Sequence, residues 1–282
     1  MVSAVTNAVK NVKTVTSRDG TLIAYDRLGS GPPLVLVDGA FCHRTFGPMP
    51  KLAPLLARHF DVVHFDRRGR GASGKGDTPW SVEREIEDIE ALVGVLGGEA
   101  FVYGTSSGAV LAARAVASGS VKAKKLALHE PPLALDGTHY PQPTDYIAQI
   151  DALLAANEPV RASKLFMKVV GVPAFGIFMM GLMPSVMKNM REGAPTLPHD
   201  FGILGDTQRG GPMPDELGQT LRRIEVPTLT LVGGKSPPWM HHAVKRVVDL
   251  LPNPAPTKLL PKQDHNVAAS AMGPALVEFF LT

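Results

Sequence analysis

Short apolar runs alternate with helix-length patterns along most of this chain, and that rhythm leaves few folds open. Pro33-Leu-Val-Leu-Val37 follows a glycine- and proline-rich turn and carries no polar side chain, as a strand covered on both faces requires. Comparable runs lie at 61–65, 100–103, 125–129, 226–232 and 257–260. Helix patterns separate them, at about 51–58, 81–96, 109–118, 240–251 and 267–280. The stretch 81–96 is the clearest: Ser81 can cap it, acidic residues crowd its first turns, and Ile86, Ile89, Leu92, Val93 and Leu96 form one apolar stripe. Gly97-Gly98 ends it. Upstream, 13–16 and 21–27 alternate around a turn at Asp19-Gly20, as paired strands do. Alternation with short links predicts an α/β chain with a mostly parallel, doubly wound sheet.

From 133 to about 224 the rhythm breaks, and Pro, Gly and Met residues crowd a stretch with no strand pattern. The expected organisation is therefore a core of 1–132 and 225–282, with 133–224 inserted as a helical cap after the sixth core strand. Val169 to Met190 is the most apolar part, but Pro173, Pro184 and Lys188 interrupt it too often for a membrane span. At 282 residues, 44% hydrophobic and 20% charged, the chain can bury one sizeable core. Its net charge of +3 is small, and groups such as Lys122, Lys124 and Lys125 lack aromatic interleaving, which argues against nucleic acid. The single cysteine, Cys42, excludes an intramolecular disulfide, and the first 13 residues lack the apolar core of a secretory signal. A cytoplasmic chain, monomeric or homodimeric, with a small-molecule partner and no membrane partner is expected.

Chemistry concentrates at Gly104-Thr-Ser-Ser-Gly108. Gly-x-Ser-x-Gly alone is common, but here a strand pattern precedes it and a small-residue helix follows. Ser106 then falls on a sharp strand-to-helix turn that pushes its hydroxyl outward, and flanking glycines remove side chains that would clash there. The new helix aims backbone N–H groups at any anion formed on the serine's substrate. Neither a phosphate-binding ending in the glycine-rich segment 66–74 nor a metal-ligand set is present in the sequence, so no metal and no cofactor is expected.

Taken together, Val35-Leu-Val-Asp-Gly-Ala40, Asp66-Arg-Arg-Gly-Arg-Gly71, Gly104-Thr-Ser-Ser-Gly108, Pro227-Thr-Leu-Thr-Leu-Val-Gly233 and Gln263-Asp-His265 resemble the α/β-hydrolase superfamily. Their order and spacing are similar to those of small esterases and lactonases. The resemblance implies Ser106 as nucleophile and His265 as its base, with His129 and His43 the only rival histidines near the strand ends. It also implies oxyanion donors at the backbone N–H groups of Ala40 and Ser107.

The acid departs from the usual pattern. Relatives commonly carry an aspartate after the strand that follows the insertion, where this chain has Ser236 in Gly233-Gly-Lys-Ser236. Some superfamily members place the acid after the preceding core strand, and Glu130 stands there, so Glu130 is the expected third member. A dyad supported by Ser236, and Asp264 beside the histidine, stay open as alternatives. Phe41, Phe178, Met179 and Met183 are the expected substrate-binding residues, part of a Phe- and Met-rich set suited to an apolar ligand. The expected function is hydrolysis of an ester or lactone through an acyl-enzyme. The same scaffold also resembles lyases, natural-product cyclases and non-catalytic ligand-binding relatives.

Overall fold

Strands β1 (Lys13–Thr16) and β2 (Leu22–Leu28) pair antiparallel, with the intervening turn held by Ser17 and Thr21 backbone bonds. They belong to a computed structural model that describes residues 12–77, 79–135, 145–205, 207–208 and 210–282. The N-terminal stretch assessed for a secretory signal lies largely outside those residues. β3 (Pro33–Val37), β4 (Asp61–Phe65), β5 (Ala100–Thr105), β6 (Ala123–His129), β7 (Thr228–Gly233) and β8 (Lys258–Leu260) complete an eight-stranded sheet in the order β1-β2-β4-β3-β5-β6-β7-β8. β2 meets β4 antiparallel, and every pairing from β4 to β8 is parallel. The expected doubly wound, mostly parallel sheet is what the chain forms.

The continuous apolar runs follow from covering both faces. In β3, Val35 and Val37 join one core cluster while Leu34 and Leu36 join the other. Helices α2 (Val82–Val95), α3 (Ser107–Ala117) and α10 (Pro238–Val248) close the first face, through Ile89, Leu111 and Ala243 among others. Helices α1 (Met49–Leu56) and α11 (Ala269–Leu281) close the second, through Leu52 and Leu276. Each fully buried Leu or Val contributes roughly 1.5–3 kcal/mol. The serine cap expected for α2 is present, with Ser81 Oγ accepting from Arg84 N.

Between β6 and β7 the described chain makes α4 (Tyr146–Ala155), α5 (Pro159–Val169), α6 (Ala174–Gly181), α7 (Pro184–Gly193), a 3-10 turn (Ala194–Thr196), α8 (Leu197–Leu204) and α9 (Asp215–Arg222). Pro173 and Pro184 stand at the starts of α6 and α7 and break the apolar stretch. Among the described residues no helix is long and apolar enough to cross a membrane. Phe41, Tyr146, Ile150, Leu197 and Phe201 share an apolar cluster that pins α4 and α8 over the β3 loop. Ile203, Leu204, Leu217 and Leu221 instead join the main core cluster, so α8 and α9 pack continuously with the sheet's own helical layer.

Candidate active site

Ser106 sits between β5 and α3 with φ 57° and ψ −132°, a left-handed conformation that costs free energy and is held by its surroundings. A Cβ on Gly104 would lie 2.4 Å from the Gly108 carbonyl oxygen, and one on Gly108 would lie 2.4 Å from the Asp38 carbonyl oxygen. These two glycines therefore let strand, helix and the loop after β3 approach closely enough to form the turn. Ser106 N–H donates to the His129 carbonyl at 2.9 Å, which ties the nucleophile position to the end of β6.

Glu130 follows β6 directly and is fully buried. Its Oε2 lies 2.6 Å from His265 Nδ1. Its Oε1 accepts the Gly233 N–H at 2.7 Å and the Ser236 hydroxyl at 2.5 Å. Burial works against its charge, but the His265 bond, neighbouring imidazoles and the Ser236 hydroxyl hold its pKa down to about 2. A carboxylate ionised at neutral pH only accepts, so His265 Nδ1 is the donor in this bond. Glu130 also has φ 42°, a strained backbone held in place by its N–H bond to Leu231 O at 3.2 Å.

The open alternatives resolve differently in space. Ser236 donates its hydroxyl to Glu130 and, among the described residues, makes no bond to His265. Asp264 is exposed and accepts the Asn266 N–H. His129 is buried, with Nδ1 2.9 Å from Thr105 Oγ1 and its ring 5.8 Å from the His265 ring, and burial lowers its pKa to about 4. It flanks the base as a neutral ring. His43 meets Asn189 of α7 at 3.3 Å.

The loop after β3 packs on the nucleophile. A Cβ on Gly39 would come within 2.8 Å of Ser106 Cβ and 3.4 Å of its Oγ. The Gly39 N–H is already taken by Asp38 Oδ1 at 3.0 Å. Among the described residues neither Ala40 N–H nor Ser107 N–H has a hydrogen-bond acceptor. Asp38 is buried, and burial pushes its carboxyl up to about 7.

A buried ionic network braces this loop, and nothing in the sequence patterns singled it out. Arg67 pairs with Glu85 (2.6 and 2.8 Å) and with Asp200 of α8 (2.8 Å). Arg70 pairs with Asp200 at 2.7 Å and donates to the Gly39 carbonyl at 2.6 Å. The Ser107 hydroxyl donates to Asp200 Oδ1 at 2.7 Å. Asp200 thus joins the helix after the nucleophile to the loop after β3. Burial opposes its charge, yet Arg70 and Arg67 keep its carboxyl below the usual range. Arg68 is likewise engaged by Asp88 and Asp19, so segment 66–74 turns its charges inward. The available signal was the crowding of arginines at 67, 68 and 70 before a helix carrying Glu85 and Asp88.

Of the expected substrate-binding residues, Phe41 lies next to Ala40, but its ring is buried and meets Phe166 edge-on at 5.3 Å. Phe178, Met179 and Met183 do not join the apolar cluster that holds Phe41: they are 61%, 44% and 52% exposed, on α6 and the turn after it. The physical reason is that α6 has no buried residue and rests on α5 and α7.

A nucleophile elbow, a histidine loop and an acid at the carboxyl ends of a doubly wound sheet define an α/β-hydrolase arrangement. The profile described as the alpha/beta hydrolase family matches residues 34–278, and the chain belongs to that family. It is 44% identical to an alpha/beta hydrolase from Sphaerobacter thermophilus DSM 20745, with a TM-score of 0.86 over 95% of this chain and 100% of that one. An esterase from Exiguobacterium antarcticum shares the fold at 17% identity, with a TM-score of 0.71 over 96% of this chain and 100% of that one. Over 100 residues the chain is 26% identical to 2-hydroxy-6-oxo-6-(2'-aminophenyl)hexa-2,4-dienoic acid hydrolase from Metapseudomonas resinovorans. That match covers 34% of each protein, so it spans about a third of the curated relative.

Proposed function

We propose that this chain is a cofactor-independent serine hydrolase that cleaves a carboxylic ester or lactone of a largely apolar small molecule. The observation that carries the reading is the 2.6 Å bond between His265 Nδ1 and the buried Glu130, which orients the imidazole. Ser106 Oγ attacks the carbonyl carbon and gives its proton to Nε2. Glu130 stabilises the resulting imidazolium, and the N–H groups of Ala40 and Ser107 hold the negative oxygen. Collapse breaks the carbon–oxygen bond, and the leaving alkoxide takes the proton from His265. Water then attacks the acyl-enzyme with the same histidine as base, releasing the acid and restoring Ser106. For a lactone, alkoxide and acyl group stay in one product.

The apolar substrate class rests on the Phe41, Phe166 and Phe201 cluster beside the loop after β3. The segment 133–224 acts as the cap, and a single cysteine fits a reducing, cytoplasmic setting. Hydrolysis agrees with the esterase and the dienoic acid hydrolase among its relatives. A fluorophosphonate probe tests the reading: the wild type should label and Ser106→Ala should not. An unlabelled wild type would contradict it and favour non-covalent lyase chemistry or ligand binding.

A further inference from the structure

The outer face of the cap carries a second set of observations, independent of the hydrolase reading. α6 is apolar on every side, yet none of its residues is buried. Phe175, Phe178 and Leu182 are 74%, 61% and 62% exposed, and Met179 and Met183 are exposed beside them. A helix apolar all round belongs in a core or against a lipid phase, and an exposed patch of this kind on a folded chain marks a contact surface. α5 and α7 both pack against α6.

Charge selects the occupant. From Arg161 to Arg191 the sequence contains no Asp or Glu, while Arg161, Lys164, Lys168, Lys188 and Arg191 are all cationic. Lys164 Nζ lies 3.9 Å from where a Cβ on Gly181 would stand, so its ammonium sits over the end of α6. Arg161 pairs with Glu158 and Lys188 reaches Glu192 at 3.9 Å, both acids lying outside the stretch. Among the described residues Lys164, Lys168 and Arg191 form no ion pair. A second copy of the chain would set this cationic rim against itself across a two-fold axis. An anionic surface with an apolar interior matches both the rim and the tips.

We propose that α6, with its flanks on α5 and α7, docks the cap onto the surface of an anionic lipid bilayer. Phe175, Phe178 and Leu182 enter the boundary of the acyl chains, while Lys164 and Lys168 meet lipid phosphates. The expectation of no membrane partner is replaced by surface docking without a span. The docked cap brings the cluster around Phe41 close to a phase in which apolar compounds concentrate.

Co-sedimentation with large unilamellar vesicles tests the proposal on the full chain. Phosphatidylcholine vesicles should bind weakly, and replacing about a third of the lipid with phosphatidylglycerol should raise the apparent affinity at least about tenfold. High salt should weaken that binding. Phe175→Ser/Phe178→Ser and Lys164→Glu/Lys168→Glu change exposed residues only, so both should keep the wild-type circular dichroism and each should lose about tenfold or more in affinity. Absence of binding to phosphatidylglycerol vesicles, or binding that survives both double variants, overturns the proposal. So does a concentration-dependent dimer in sedimentation velocity that Phe175→Ser/Phe178→Ser abolishes, because the face then covers a second copy.

Discussion

Glu130 and His265 stand 135 residues apart in the chain, and in the fold Oε2 of one lies 2.6 Å from Nδ1 of the other. In the proposed mechanism the pair orients the base and supplies the negative charge its protonated form needs. Glu130→Gln keeps the side-chain shape but removes that charge and offers His265 an amide. The expected outcome is a fall in kcat of about 10²–10⁴-fold with KM little changed, measured with p-nitrophenyl esters. A loss below about tenfold would mean that another group serves as the acid.

Ser236 acts one step further out. It donates to the oxygen of Glu130 that does not face His265. Since the Gly233 N–H still bonds that oxygen, Ser236→Ala should cost about tenfold or less in kcat. A loss as large as that of Glu130→Gln would overturn this ranking of the two residues.

Gly39 separates a packing role from a chemical one. An added Cβ would stand 2.8 Å from Ser106 Cβ, and neither backbone can move without shifting the loop after β3. Gly39→Ala should fold, as judged by circular dichroism, yet lose roughly 100-fold or more in kcat/KM, the scale set by losing an oxyanion donor. Near wild-type turnover would show that this loop does not form the oxyanion site.

Asp200 of α8 joins the residues that carry both proposed oxyanion N–H groups, through Ser107 Oγ and through Arg70 to the Gly39 carbonyl. Asp200→Asn leaves Arg70 buried without a full counter-charge, which typically costs about 3–5 kcal/mol of stability. Chemical denaturation should register that loss. Turnover of the folded fraction should fall mainly in kcat, by roughly tenfold, because the proposed oxyanion donors that Asp200 braces meet charge that develops only in the transition state. Equal activity per folded molecule would confine Asp200 to stability.

Acid should unfold this protein through its buried imidazoles. Burial lowers the pKa of both His129 and His199 to about 4. Below about pH 6.5 the unfolded chain takes up protons at these rings while the folded chain does not until about pH 4, so stability falls with pH across that window. Each pH step of one across the window costs at most roughly 1.4 kcal/mol per ring, and less for the half-buried His199. Glu130, held near 2, adds a further loss below about 4.5 as its carboxylate takes up a proton. His199 stacks on Trp80 at 4.6 Å, so His199→Phe should keep the stack and flatten urea-monitored stability between pH 6.5 and 4.5. An unchanged slope would refute the role given to His199.

The strands and the elbow were legible because their signals are local. The continuous apolar run at 33–37 and the glycines around Ser106 act within a few residues. Choosing Glu130 over Ser236 depended on how the ends of β6 and β7 meet, which a spacing argument can rank but only the parallel register places side by side. Asp200 was not legible, since its partner Arg67 lies 133 residues away and a lone acid in an apolar helix gives no periodic signal. The exposure of Phe178, Met179 and Met183 was not legible either. Their composition is that of an internal pocket, and nothing local distinguishes that from an apolar helix left facing outward.

Rapid quenching of the reaction with a p-nitrophenyl ester, followed by peptide mass spectrometry, reads the acyl-enzyme itself. A transient mass increase of one acyl group is expected on the peptide that contains Ser106, formed with a burst of p-nitrophenol and absent from Ser106→Ala. Turnover that leaves Ser106 unmodified, or that persists in Ser106→Ala, would contradict the proposed mechanism.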